Sequence, residues 1–270
     1  MQELFILGKV TLSLIILLYA SWKDYKTREV TNKVWVVYAP IALLLSLVEL
    51  ILFDSAKLPL YGISFGITSV FALLLFYSGG FGGADSKALM CIALALPFST
   101  EKLFTPILAL GVSPLAQILF PLTIFSNSVL FAAASGIYML SRNFVRRIET
   151  GKELFEGTLA TESITKKLIV LITGYKVPID RLKKKWHIYP MEDISDYDDN
   201  QLNRKLVVVP RDEGRDEVVN RLYKAATTGK ISNYVWATPG LPMLIFVTIG
   251  LIVSILFGDF IWIIISYILG

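Results

Sequence analysis

The chain has 270 residues, 54% of them apolar, and a formal net charge of +4. Several runs of 16 or more mainly apolar positions have the length that a bilayer core of about 30 Å imposes on a helix, so the sequence reads as a polytopic membrane protein. A single cysteine, Cys91, and a single histidine, His187, exclude a three- or four-ligand zinc site and an internal disulfide.

The first apolar run, Leu4 to Trp22, is followed by charge and has no separable cleavage region; it reads as a retained first helix rather than a signal peptide. Further spans are expected at 34–53, 61–78, 86–97, 116–140 and 241–257, judged by hydrophobic length and charged punctuation. The fourth is short, rising only about 18 Å as a helix. Pro97 and Pro106 then interrupt the apolar pattern before Ala116, so a re-entrant piece is the alternative to a crossing. Gly258 and Asp259 break the end of the chain, and residues 260–269 are either a continuation of the last span or a segment at the outer face. Within the third span, "GISFG" (62–66) has the small-xxx-small spacing of a close helix contact and is expected to pack. Trp236 and Trp262 fit interfacial aromatic belts.

Charge is concentrated between Ser141 and Ala237, which hold 18 of the 26 Lys+Arg and 14 of the 22 Asp+Glu. That segment reads as a water-facing domain. The expected fold class is an all-α polytopic membrane protein of about six transmembrane helices, with a small α+β cytoplasmic insertion before the last. The divisions fall at 1–140 (spans one to five), 141–237 (soluble domain) and 238–270 (C-terminal membrane segment). Inside the insertion, "KLIVLI" (167–172), "KWHIY" (185–189) and "KLVVVP" (205–210) have strand-like composition, "DEVVNRLYKAA" (216–226) has helical spacing, and "PMEDISDYDDN" reads as loop. His187, beside a lysine run, reads as a surface or strand residue. No phosphate loop, dinucleotide fingerprint or internal repeat is present.

The positive-inside rule orients the chain. Lys23, Lys26, Arg28 and Lys33 lie in the first loop, and Arg142, Arg146 and Arg147 follow the fifth span, whereas the second loop has Lys57 with Asp54 and the fourth Lys102 with Glu101. Loops one, three and five are then cytoplasmic, and parity requires that the fourth segment cross.

With that topology, Asp24 and Asp85 both lie at the cytoplasmic membrane boundary. Two carboxylates brought together where water is scarce cannot both ionise easily and share a proton. The ionised member can take a proton from water while the protonated one polarises a carbonyl, which is peptide hydrolysis without a covalent intermediate. Each also has a simpler role open to it: Asp85 as an N-cap before "SKALM", Asp24 as a loop charge among lysines. Gly79, Gly80, Gly82 and Gly83 are costly to order and point to backbone approaching something closely.

"GGFGGAD" followed by Ser86 and Lys87 resembles the Gly-x-Gly-Asp motif of the type IV prepilin peptidase and preflagellin peptidase family of membrane aspartic proteases. "DYKTREVTNKVW" resembles the segment that carries their first aspartate, and "NYVWATPGLPMLIF" resembles the archaeal preflagellin branch. The resemblance implies that Asp24 and Asp85 are the catalytic pair, that Gly82 and Gly83 shape the motif, and that Lys87, Arg28 and Asn32 support it; a snorkelling lysine and a surface arginine are the alternatives. Ala84 stands where the motif has its second glycine, and a left-handed backbone there would disfavour alanine. Bacterial members carry an N-terminal extension with paired cysteines and a methylating activity; this sequence has neither extension nor paired cysteines, which implies a peptidase alone. The resemblance further implies preflagellin or prepilin-like precursors, with a short basic leader before an apolar helix, as partners alongside the bilayer, with no cofactor and no nucleic acid. Glu192, Asp193, Asp196, Asp198 and Asp199 either meet such a leader or form a solvated loop face. The competing classes are an ion-coupled transporter, which predicts charge distributed through the spans, and a noncatalytic scaffold; the mid-span positions are nearly free of charge, and Lys9 and Glu49 lie within a turn or two of a span end.

The topology predicts that Asp199→Cys, in a Cys91→Ser background, is labelled by a membrane-impermeant maleimide only after cells are opened. Labelling of intact cells inverts the orientation and moves both aspartates to the outer face.

Overall fold

The computed structural model describes residues 1–108, 112–198, 201–208 and 214–269, with backbone alone at 195–198 and 201. Its helices are α1 (Gln2–Thr27), α2 (Asn32–Phe53), α3 (Leu58–Tyr77), α4 (Gly83–Ala95), α5 (Pro114–Ile118), α6 (Phe120–Thr150), α7 (Ile164–Thr173), α8 (Ile179–Lys184), α9 (Arg215–Thr227), α10 (Met243–Leu256) and α11 (Phe260–Leu269). Its strands are β1 (Tyr175–Pro178), β2 (Ile188–Pro190), β3 (Glu192–Asp198), β4 (Gln201–Leu206) and β5 (Tyr234–Pro239). They form two compact units, Met1–Ala132 with Pro242–Gly270, and Ala133–Leu241.

The first unit is a bundle turned inside out relative to a soluble one. Ile15, Val36, Leu44, Ile67 and Leu74 point outward, while Ser13, Ser46, Ser64, Thr68 and Thr248 are buried. Lipid gives apolar side chains no reason to hide, so hydroxyls bonding across helices hold the bundle. Tyr38 donates to Ser13 Oγ at 2.6 Å, Ser21 shares a 2.8 Å hydrogen bond with Thr248, and Ser46 donates to the Leu94 carbonyl at 2.7 Å. Two of the inward charges are spent on one another, Lys9 Nζ meeting Glu49 Oε2 at 2.5 Å between α1 and α2. Only α1, α2, α3 with its preceding turn, and α6 are, among the described residues, single helices long and apolar enough to cross a bilayer, and α10 with α11 makes a fifth if that pair, bent by 57°, counts as one span. The expected six are not reached because α4 has 13 residues, a rise of about 20 Å.

The bend before α11 is built rather than frayed. Gly258 adopts φ 87°, which favours glycine, and Asp259 is buried, accepting from Ser113 at 2.8 Å and capping α11 through the Trp262 N–H at 3.1 Å. Asn127 holds the free carbonyl of Gly258 and the N–H of Phe260. Residues 260–269 are thus a separate helix. The glycines of "GISFG" do not pack: a Cβ at Gly62 or Gly66 would meet nothing within 4 Å.

The second unit has an antiparallel sheet ordered β1-β5-β2 and a β3–β4 hairpin, covered by α8 and α9 over Val177, Ile179, Leu182, Val219, Leu222 and Val235. The helix expected at 216–226 is α9, and Val219 and Leu222 are buried in it together with Arg215 and Ala225. "KLIVLI" is helical instead of extended. Ser163 caps α7 by accepting the Lys166 N–H, and a short apolar run does not by its period distinguish the two states. "PMEDISDYDDN" contains β3 instead of loop, because its first two carboxylates are neutralised by Arg204 from β4 and Arg221 from α9. Of the second expected strand (185–189) only Ile188 and Tyr189 lie in a strand, β2, and the third lies within β4 up to Leu206, with Val209 and Pro210 outside the described residues. Trp236 is fully buried, stacked on Phe155 at 5.0 Å, so it belongs to a core and not to an interfacial belt.

Close packing inside the first unit is tightest at Gly250 of α10, where a Cβ would overlap the Ser128 hydroxyl and the Ile124 carbonyl of α6. Gly250→Ala should destabilise the detergent-solubilised protein by about 1–3 kcal/mol, the usual cost of overpacking, whereas Gly62→Ala should leave the thermal midpoint unchanged. Equal midpoints for the two variants would contradict this packing.

Candidate active site

The turn between α3 and α4 concentrates the glycines, and two of the four require that residue. Gly79 takes φ 76°, turning the chain out of α3 in a conformation that L side chains rarely adopt. Gly82 has an ordinary φ of −72°; its constraint is space. Its N–H donates to Asp85 Oδ2 at 3.0 Å, and a Cβ on Gly82 would stand 3.1 Å from that oxygen. Asp85 is therefore not the cap residue but the third residue of α4, reaching back to close its first turn. Gly83 is in ordinary contact, its Cβ position lying 3.6 Å from the Phe76 ring. Ala84 sits in the first turn of α4, packed against the bundle core, and Arg28 is the only non-glycine of positive φ among the described residues. Alanine at the motif's second glycine position thus meets no backbone conflict.

Asp24 lies in the last turn of α1 rather than in a loop. Two groups face its carboxylate: Arg28, one turn further on, and the backbone N–H of Leu244 in the first turn of α10. The same N-terminus is tied to α1 by Ser21, whose hydroxyl donates to the Leu244 carbonyl at 2.8 Å. Arg28 closes α1 in a left-handed C-cap, φ 59°, with its N–H on the Asp24 carbonyl, and its buried Nε has no hydrogen-bond partner among the described residues. α1 and α10 both pack against α4, which carries Asp85. Each carboxylate consequently sits in the first turn of, or directly facing, a helix N-terminus, where free N–H groups favour negative charge.

Of the supporting residues, Lys87 and Asn32 are brought together, Lys87 Nζ donating to Asn32 Oδ1 at 2.7 Å between α4 and α2. Arg28 joins Asp24, and Gly82 joins Asp85. The acidic segment behaves otherwise. Glu192 is fully buried and held by both oxygens on Arg204 Nη2 at 2.8 Å, and Asp193 is bonded to Arg221 at 2.9 Å. Burial pushes the Glu192 carboxyl above its ordinary range against the pull of Arg204. Neither is a free solvated acid. The side chains of Asp196 and Asp198, and all of Asp199, lie outside the described residues. Leu244 and the start of α10 are parts of the site that the sequence reading missed, although "PGLP" before Met243 is a helix-start signal.

Residues 11–137 match the type IV leader peptidase family, and residues 166–260 match the archaeal peptidase A24 C-terminus, type II. The chain is 26% identical over 255 residues to the preflagellin peptidase of Methanococcus voltae, covering 92% of this chain and 94% of that one. It is 24% identical over 254 residues to the preflagellin peptidase of Methanococcus maripaludis strain C6, covering 90% and 92%. A multi-pass helix bundle with these matches defines a membrane protease. The chain is similar to the type IV leader peptidase family over these two stretches.

The spacing at the α4 start predicts that Gly82→Ala, which crowds the Asp85 carboxylate, lowers activity by about tenfold or more, the usual effect of misplacing a reacting group. Gly83→Ala should stay within about twofold, since its new methyl makes only an ordinary contact. Cleavage assays at matched membrane abundance decide; equal losses would contradict the role given to Gly82.

Proposed function

We propose that the chain is an aspartic endopeptidase that removes the short basic leader from preflagellin or prepilin-like precursors at the cytoplasmic face of the membrane, with Asp24 and Asp85 as its catalytic pair. One observation carries this reading: Asp24 in the last turn of α1 and Asp85 in the first turn of α4 lie on helices that pack together, with the start of α10 tied to α1 beside Asp24. The names of the two relatives support the class of substrate.

The chemistry follows from one proton shared by two carboxyl groups. The ionised aspartate removes a proton from water, whose oxygen attacks the carbonyl carbon of the scissile bond, while the protonated aspartate donates to the carbonyl oxygen. Collapse of the tetrahedral species breaks the C–N bond: the proton first taken from water passes to the departing amine, and the hydroxyl formed from the carbonyl oxygen returns its proton to the aspartate that supplied it. The pair returns to its starting state with one proton. Gly82 fixes one Asp85 oxygen through its N–H, leaving the other to react. Arg28 and the Leu244 N–H orient Asp24, and the Lys87–Asn32 bond ties the starts of α4 and α2 beside the pair. Basic residues around the first loop and after the fifth span support the cytoplasmic placement, with α4 counted as a crossing and the charged insertion on the same side.

Asp24→Asn and Asp85→Asn should each lower cleavage by about a thousandfold or more, because the reaction needs both an acid and a base. Asn retains an oxygen for the Gly82 N–H, so the Asp85 variant should remain folded. Wild-type cleavage should follow a bell-shaped pH profile whose limbs belong to the pair. Mass spectrometry of the product should place the cut between the basic leader and the apolar helix. Near wild-type cleavage by either folded variant would sink the assignment.

A further inference from the structure

Two turns of α2 and two turns of α4 line a groove of about 550 Å³ that opens to the outside of the bundle. Asn32, Trp35, Val36, Ala39 and Pro40 follow one another down one face of α2, and Lys87, Met90, Cys91 and Leu94 down one face of α4, with Phe65 of α3 closing the side. Both helices start at the same end, and both tracks run i, i+3/i+4, i+7, a depth of about 11 Å. The groove is polar only at its mouth, where Lys87 bonds to Asn32, and Lys87 stands two residues beyond Asp85. Below the mouth every lining side chain is apolar or aromatic, apart from the Cys91 thiol.

We propose that this groove seats the first two turns of the precursor's apolar helix, on the C-terminal side of the scissile bond. The inference rests on the leader-peptidase reading above and names the part of the substrate held beside the pair. A precursor changes from polar leader to apolar helix at the cut; the groove changes from polar to apolar in the same direction, starting at the level of Asp85. Its walls suit a polypeptide better than acyl chains. Pro40 has no N–H to give the Val36 carbonyl. A backbone carbonyl without its helical donor is expensive in hydrocarbon, and lipid tails offer it nothing, whereas a helix brings hydroxyl and amide side chains. The rim also admits close approach, since Phe65 is flanked by Gly62 and Gly66, both with open space where a Cβ would stand.

The full chain in detergent or vesicles is tested on two substrates: an intact precursor, and a water-soluble peptide spanning the cut that lacks the apolar helix. Ala39→Trp and Met90→Trp fill the groove without touching the pair. Each should raise KM for the precursor by about tenfold, as misfitting one or two apolar groups does, while kcat and cleavage of the short peptide stay near wild type. In a Cys91→Ala background, Val36→Cys should form a disulfide with a precursor carrying cysteine in the second turn of its apolar helix, and Ile15→Cys on the outer face of α1 should not. Wild-type protein that cuts neither substrate overturns the leader-peptidase reading and this inference with it. Wild-type cleavage of both, with the tryptophan variants impaired equally on both or on neither, overturns the groove alone. So does crosslinking as ready at Ile15→Cys as at Val36→Cys, or crosslinking of Val36→Cys only to a second copy of this chain.

Discussion

The site depends on how a 13-residue helix is held at both ends. At the start of α4, Asp85 turns back onto the Gly82 N–H at 3.0 Å. At its end, Ser46 and Tyr61 donate to the Leu94 carbonyl at 2.7 and 3.1 Å, and Ser64 to the Pro97 carbonyl at 3.2 Å. A helix end leaves its last carbonyls without intrahelical partners, and in lipid each unmet group costs several kcal/mol. Side chains of α2 and α3 supply what α4 lacks. The position of the Asp85 carboxylate therefore follows from bonds made about 20 Å away at the opposite end of α4 as well as from its own.

Asp24 is fixed by a different device. It lies within the last turn of α1, and what faces it comes from the far end of the chain, where Ser21, Leu244 and Thr248 join α1 to α10. The return of the chain to the bundle after the second unit thus completes the surroundings of a residue near its start. The same bundle disposes of its remaining charge economically: Lys9 and Glu49 neutralise each other, with Gln2 also on Glu49. That pair has the geometry of a brace between α1 and α2 rather than a distributed ion path.

Much of this was readable in the sequence, because charge in an apolar run is conspicuous and runs of about 20 residues have few uses other than crossing lipid. Asp24 and Asp85 stood out on that ground, as did the glycine break. What Gly82 does was not readable, since the atom that excludes a Cβ is a carboxylate oxygen three residues on, reached only by folding back. The order of α10 over Asp24 was hidden by a separation of more than 200 residues. α7 and β3 were misread for opposite reasons: apolar, β-branched composition suggested a strand where Ser163 starts a helix, and acidic composition suggested a loop where Arg204 and Arg221 pay for a strand. "GISFG" has the spacing of a packed stripe, but spacing does not say whether a partner is present, and among the described residues there is none within 4 Å.

The central claim is that Asp24 and Asp85 act as one chemical unit, and comparing single with double substitution tests it most directly. Groups that work as a unit lose nearly everything at the first removal, so their effects do not multiply. Cleavage rates would be measured for Asp24→Asn, Asp85→Asn and the double variant on the same precursor at matched abundance. The account predicts that the double variant is no slower than the slower single one. Losses that multiply in the double variant would mean independent roles and would contradict a shared-proton pair.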